Sequence, residues 1–280
     1  MIPIYIPYTN KYNKSAIKAI KSNWISDYGE YVIKTENKLK QILNVKYCLL
    51  MNSGTAATHC LLLALKYKYP NINKIYVPNN VFVAPWNCVL REYDKIQIEV
   101  MNMNQKTCNI DTSEEYIKSL DKNSAVLIVH NLGNVINLPR LKKIRPDLIF
   151  IEDNCEGFFG KHEDSYSGCS NDSLCSAVSF YANKIITSGQ GGAFFTNHKD
   201  VYDYIKKKYS HGMTSQKYIH NELGYNYKIT NIQAAFIYDQ LKNLNHILKL
   251  KEIIFNNYDK LLSKHIENNN MKKIKSEENT

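Results

Sequence analysis

Short apolar runs alternate with helical patterning through most of the chain. Tyr47 to Met51, Ile75 to Val77, Ile96 to Met101, Ala125 to His130 and Leu148 to Ile151 read as buried strands bounded by turn residues. Residues 14–22, 30–44 and 56–68 have helical periodicity, and 84–92, 113–120 and 138–144 are helical or loop segments between the strands. Two more strand-like runs follow, Ala177 to Tyr181 and Ala193 to Thr196. From Thr230 to about His265 one long amphipathic helix is expected, then a polar end from Glu267 to Thr280. Alternation of this kind predicts an α/β domain with a mostly parallel sheet, whose ligands sit at the carboxyl ends of the strands. No internal repeat and no Pro/Gly/Ser-rich linker interrupts it.

Composition narrows the class. At 280 residues and 44% hydrophobic content the chain buries a full core. No window approaches the ~18 uninterrupted apolar residues of a membrane span, and the start shows neither a basic n-region nor a long apolar one. Seven cysteines (48, 60, 88, 108, 155, 169 and 175) form no CxxC pair, which fits reduced thiols in a cytoplasmic protein and gives no zinc-ligand spacing. The net charge of +10 suggests nucleic acid, but only Arg91, Arg140 and Arg145 are arginines. The lysines are scattered, and the runs Lys206-Lys207-Lys208 and Lys272-Lys273 read as a solvated helix face and a polar tail. Neither a nucleic-acid nor a membrane partner is expected, although a basic surface helps attract an anionic nucleotide.

Three strand ends carry candidate chemistry. Asn52-Ser53-Gly54-Thr55 joins a strand to a helix, and such a junction offers unpaired N–H groups and a hydroxyl to an anion; an ordinary N-cap is the other reading. Leu148 to Ile151 leads into Glu152-Asp153, placing a carboxylate at the mouth of the sheet, either functional or a helix cap. The third is 179–196, where Lys184 lies between apolar runs and ahead of glycines 189, 191 and 192. Desolvation disfavours an ammonium, which is how a lysine becomes a nucleophile for a carbonyl. A snorkelling lysine beside a tight turn is the alternative.

The order Ser-Phe-x-x-Asn-Lys-x-Ile-Thr-x-Gly-x-Gly-Gly at 179–192 resembles the Schiff-base lysine segment of the DegT/DnrJ/EryC1/StrS family. Those are sugar aminotransferases of the aspartate-aminotransferase fold (fold type I) that use pyridoxal 5′-phosphate, with pyridoxamine phosphate carrying the amino group. The resemblance implies that Lys184 bonds the cofactor aldehyde and moves the proton, while Asp153 keeps the pyridine nitrogen protonated. It further places Ser53, Gly54, Thr55 and Ser179 at the phosphate, Phe82 on the ring face with Trp86 as second candidate, and Glu156 near the ring oxygen. Gly224 to Ala235 is similar to the family's Gly-Tyr-Asn-x-Arg-x-Thr-x-x-Gln-Ala-Ala, with Lys228 where an arginine is usual. There the asparagine, Asn226 here, reaches the phosphate of the neighbouring subunit, implying a homodimer with shared sites. Ser26 and His211 are the implied substrate contacts.

The resemblance covers nearly all of 1–235, read as a cofactor-binding domain with an N-terminal arm at 1–30. Residues 236–280 are then a remnant of the family's small C-terminal domain, which normally closes over the substrate. The expected activity is transfer of an amino group from glutamate to a nucleotide-linked 4-keto-6-deoxyhexose. A non-catalytic dimeric homologue is the alternative, kept open by the short C-terminal part. An amino-acid transaminase fits less well because no arginine follows Arg145. A sugar 3-dehydratase fits less well because those enzymes replace the lysine.

Overall fold

Two helices, α1 (Lys14–Lys21) and α2 (Glu30–Leu43), lead into strand β1 (Tyr47–Met51) and helix α3 (Gly54–Lys68). The computed structural model describes residues 6–168, 171–268 and 271–277. Residues 1–5 of the expected arm, Cys169, and residues 269–270 and 278–280 of the polar end lie outside the described residues. Next come β2 (Lys74–Pro78), α4 (Val83–Glu92), β3 (Ile98–Met101), α5 (Glu114–Ser119), β4 (Ser124–Val129) and α6 (Leu138–Ile144). Strand β5 (Ile149–Asp153) is followed by a two-residue pair, β6 (Lys161–His162) and β7 (Ser165–Tyr166), then β8 (Ser173–Ser179) and β9 (Gly192–Thr196). Helices α7 (Lys199–Lys208), α8 (Asn231–Lys242) and α9 (Leu244–Glu267) close the chain.

Seven strands form one sheet in the order β1-β9-β8-β5-β4-β2-β3. The pairs β8–β5, β5–β4, β4–β2 and β2–β3 are parallel, and only β9 runs against its two neighbours. The expected mostly parallel α/β sheet is therefore present. Its carboxyl edge gathers Met51, Val129, Asp153 and Ser179, the last residues of β1, β4, β5 and β8. Alternate residues face opposite layers. Leu127 and Ile151 pack with Leu61, Leu62 and Leu65 of α3, whereas Val126, Ile128 and Phe150 pack with Leu141 of α6. A third cluster joins Leu39 of α2, Phe180, Phe195 and Ile237 of α8.

Several boundaries differ from the sequence expectation. β5 runs through Asp153 instead of ending at Ile151, because the carboxylate is buried and bonded, so the ladder continues (Asp153 pairs with Val129 and Ala177). The single helix expected from Thr230 to His265 is two helices broken at Asn243. Asn243 leaves the helical region (φ −113°, ψ 18°), and its side-chain amide donates to the Asp239 carbonyl at 2.8 Å, the local bond by which asparagine ends helices. A division at 235/236 falls inside α8, whose Ile237 and Leu241 are buried in the same core as α2. Lys207 and Lys208 are not a solvated face: both pair with Glu222, at 2.6 and 2.5 Å.

Candidate active site

A cavity of about 460 Å³ opens at the carboxyl edge between α3, β5 and the segment after β8. Asp153 is its buried end. Its Oδ2 accepts from the Thr58 hydroxyl at 3.1 Å and its Oδ1 from the Cys155 N–H at 3.0 Å. Burial pushes this carboxyl above the usual carboxylate range, against the pull of those two bonds and of the Lys184 charge. No cation among the described residues lies within ion-pair distance of it. A buried carboxylate in this condition is stabilised by a cation brought alongside, such as a protonated ring nitrogen.

The opposite end is the turn before α3. Ser53 acts as an N-cap, its hydroxyl accepting from the Ala56 N–H at 3.1 Å. The N–H groups of Gly54 and Thr55 find no acceptor among the described residues, so the positive end of a 15-residue helix faces the cavity. Close packing fixes this end. A Cβ on Gly54 would lie 2.6 Å from the Ser179 Cβ, and one on Gly192 only 2.4 Å from the Ser53 carbonyl oxygen. Only glycine admits both approaches.

Lys184 and Glu156 form the third side. The Lys184 amine lies 3.7 Å from Glu156 Oε1, and its side chain is 20% exposed. The dry surroundings expected from Ile185 and Ile186 are thus only partial: Ile186 is buried, while the lysine turns into the open cavity. Glu156 is oriented by the Leu132 N–H, which donates to its Oε2 at 2.8 Å. Of the two aromatic candidates, Phe82 lines the cavity and is 71% exposed. Trp86 turns away, donating its indole N–H to the Pro78 carbonyl at 3.1 Å and packing on the core.

Eleven of the residues expected at the site behave in two ways. Ser53, Gly54, Thr55, Phe82, Asp153, Glu156, Ser179 and Lys184 line one cavity. Asn226 does not; its side-chain oxygen accepts from Lys228 at 2.9 Å, and its carbonyl from Asn52. Ser26 and His211 also lie elsewhere, Ser26 accepting from the Asn231 N–H and His211 standing at a positive φ of 61°. Thr58 escaped the sequence reading, yet its spacing was informative: it follows Gly54 by one helical turn and so shares that residue's face. Asn131 also lines the cavity and gave no local signal. A second cavity of about 500 Å³, lined by Asp27, Lys206 and Lys228 among others, holds none of the cavity residues named above.

The fold is shared with solved structures that carry pyridoxal phosphate. The donor set fits that cofactor: unpaired N–H groups for its phosphate, a lysine for its aldehyde, and a buried acid needing a cation for its ring nitrogen. The chain belongs to the DegT/DnrJ/EryC1/StrS aminotransferase family, whose profile matches residues 8–279. It is 31% identical over 263 residues to the GDP-perosamine synthase of Escherichia coli O157:H7, covering 92% of this chain and 71% of that protein. To the Campylobacter jejuni (strain NCTC 11168) UDP-4-amino-4,6-dideoxy-N-acetyl-beta-L-altrosamine transaminase it is 28% identical, covering 88% and 65%. Among solved structures, Helicobacter pylori PseC, an aminotransferase of pseudoaminic acid biosynthesis, superposes with a TM-score of 0.83 at 24% identity, over 93% of this chain and 70% of that one. The chain thus spans about two thirds to seven tenths of these proteins' lengths. No helix among the described residues is long and apolar enough to cross a membrane.

Proposed function

We propose that this chain catalyses pyridoxal-phosphate-dependent transfer of an amino group from glutamate to a nucleotide-linked 4-keto-6-deoxyhexose. The observation that carries the reading is that Lys184, Asp153 and the α3 N-terminus, far apart in sequence, line a single cavity. Bound pyridoxal phosphate supplies an electron sink for the pair left when a carbon beside nitrogen loses its proton. Asp153 maintains that sink by holding a proton on the ring nitrogen, and Thr58 and the Cys155 N–H hold its carboxylate in place. Lys184 Nζ would hold the aldehyde of the cofactor, and its amine is the group in the cavity that would take up and return a proton. Glu156, 3.7 Å from that amine, orients it and would serve as the polar partner of the cofactor's ring oxygen. Gly54, Thr55 and Ser179 would hold the phosphate, and Phe82 would cover the ring and shield it from water.

Retention of Lys184 supports amino transfer over sugar dehydration, although GDP-4-keto-6-deoxymannose-3-dehydratase shares the fold (TM-score 0.81, 22% identity). The relatives named for perosamine and altrosamine sugars support a 4-keto sugar nucleotide as acceptor. Asn226, Ser26 and His211, which lie outside the cavity of their own chain, are assigned to a homodimer in which Asn226 completes the partner's phosphate site. Purified protein is incubated with pyridoxal phosphate, glutamate and a panel of 4-keto sugar nucleotides, and product is read by mass. Lys184→Ala is expected to lose both the near-visible absorbance of the attached cofactor and all product. Retention of that absorbance in the variant overturns the assignment.

A further inference from the structure

The segment carrying Lys184, residues 180–191, leaves β8 and returns to β9 without regular secondary structure. Its internal bonds shape it: the Thr187 hydroxyl donates to the Phe180 carbonyl at 2.9 Å, and the Gly189 N–H donates to that hydroxyl at 3.0 Å. Those bonds lie within the loop and do not tie it to its surroundings. Besides the Lys184–Glu156 contact, α8 ties the loop to the core. Gln240 Oε1 accepts from the Thr187 N–H at 3.0 Å, and its Nε2 donates to the Thr187 carbonyl at 2.6 Å and to the Phe236 carbonyl at 2.8 Å. Gln240 and Thr187 are both buried, at the edge of a cavity behind the loop, so each polar group in this exchange has little water to fall back on. Two helical turns earlier on α8, Gln233 Nε2 donates to the Gln190 carbonyl at 3.2 Å. α8 is itself fixed from the N-terminal side. Asp239 accepts from the Ser15 N–H and hydroxyl at 2.6 and 2.7 Å, and Asn231 accepts from the Tyr31 N–H at 2.9 Å.

Lys184 borders two cavities. One is the site described above. The other, of about 290 Å³, lies behind the loop against Tyr12, Ile247 and Ile254. We infer that Gln240 is a positioning residue for Lys184: its carboxamide, clamped on both backbone groups of Thr187, holds the loop so that the amine enters the cavity containing Asp153 and not the one behind it. This rests on Lys184 being the cofactor lysine. Without the carboxamide, the buried N–H and carbonyl of Thr187 lose their partners together. The loop then regains hydrogen bonds only by moving toward water, carrying Lys184 with it.

Two readings test this in the purified full chain. One is amide exchange at Thr187 in the cofactor-free protein. The other is the pyridoxal phosphate concentration giving half-maximal covalent attachment to Lys184, read by intact mass after borohydride reduction. Gln240→Met, an apolar side chain of similar length, is expected to speed Thr187 exchange and raise that concentration, each about ten-fold. Ile237→Ala, buried on the same helix without a bond to the loop, controls for lost stability and is expected to change both far less at matched stability. Gln240→Glu keeps an acceptor for the Thr187 N–H but loses the donor to its carbonyl, and serves if the first variant does not fold. An intermediate change in both readings is expected of it, and no change overturns the inference. Wild-type protection of Thr187 in Gln240→Met also overturns it, as does an equal response from Ile237→Ala. Wild-type protein that attaches no pyridoxal phosphate overturns the reading of Lys184 itself, while the exchange measurement still decides whether Gln240 holds the loop.

Discussion

Helices α3 and α9 are both long and rich in apolar residues, yet the fold treats them in opposite ways. Every residue from 56 to 65 of α3 is buried. In the 24 residues of α9 only Leu244 and Ile247 are. The apolar positions of α9, Ile247, Leu250, Ile254, Tyr258 and Leu261, recur at spacings of three and four and so share one face. Exposure along that face climbs from 8% at Ile247 to 74% at Leu261. α3 lies across the sheet and is covered by α4 and α7, whereas α9 starts in the core and runs out of it. Amphipathic periodicity therefore identifies a helix without saying how much of its stripe is covered. The cavity depends on the covered helix: α3 carries the unpaired N–H groups of Gly54 and Thr55 at its first residues and Thr58, which holds Asp153, one turn on.

The sharpest way to test that asymmetry is to cut into α3. Leu62 is fully buried beneath the sheet. Leu62→Ala is expected to cost about 2–5 kcal/mol, from lost transfer energy plus the cavity left in a close-packed layer. Chemical denaturation measures it. A loss below about 1 kcal/mol would mean that the layer relaxes around α3 and that the helix is not the rigid base of the site.

A smaller effect, with a definite pH signature, comes from Asp153 against the inner face of α3. Burial raises its carboxyl in the cofactor-free fold above the value of about 3.9 it has in an unfolded chain. The folded state then binds the proton more tightly than the unfolded one. Its contribution to stability is complete below the unfolded value and is lost as pH rises through the folded value. Asp153→Asn removes this dependence. Relative to the variant, cofactor-free wild type is expected to lose stability as pH rises from about 4, by about 1.4 kcal/mol for each unit separating the two values. Thermal melts across pH read it. Parallel curves would show that the carboxylate is already compensated without a cofactor.

Much of this was legible from the sequence where chemistry is local. Apolar runs leading into Ser53-Gly54-Thr55 and into Glu152-Asp153 announced two strand ends, and parallel strands bring such ends to one edge. The run expected from Ala177 to Tyr181 instead forms a strand over Ser173–Ser179, so Ser179 is its last residue and not an interior one. The break at Asn243 was not legible, because neither glycine nor proline marks it and the stop depends on an amide turning back to Asp239. Nor were the long-range ties, Ser15 to Asp239 across 224 residues and Thr187 to Gln240 across 53, since each partner alone is an ordinary polar residue. The resemblance supplied the role of Asp153; the structure adds Thr58 as its holder and the turning away of Trp86.

The smallest expected effect belongs to the far end of α9. Leu261→Lys replaces an apolar side chain that is three-quarters exposed with one of similar reach and good helix propensity. The apolar area removed from water there is small, so little transfer energy is lost. The helix is bonded along its own backbone and does not need the stripe to stay helical at that point. The change is expected to stay within about 0.5 kcal/mol in denaturation, an order of magnitude below the upper estimate for Leu62→Ala. It is also expected to leave pyridoxal phosphate attachment at Lys184 as in wild type. A loss above about 1.5 kcal/mol would show that the outer stripe of α9 is covered in solution, and the contrast between the two helices would collapse.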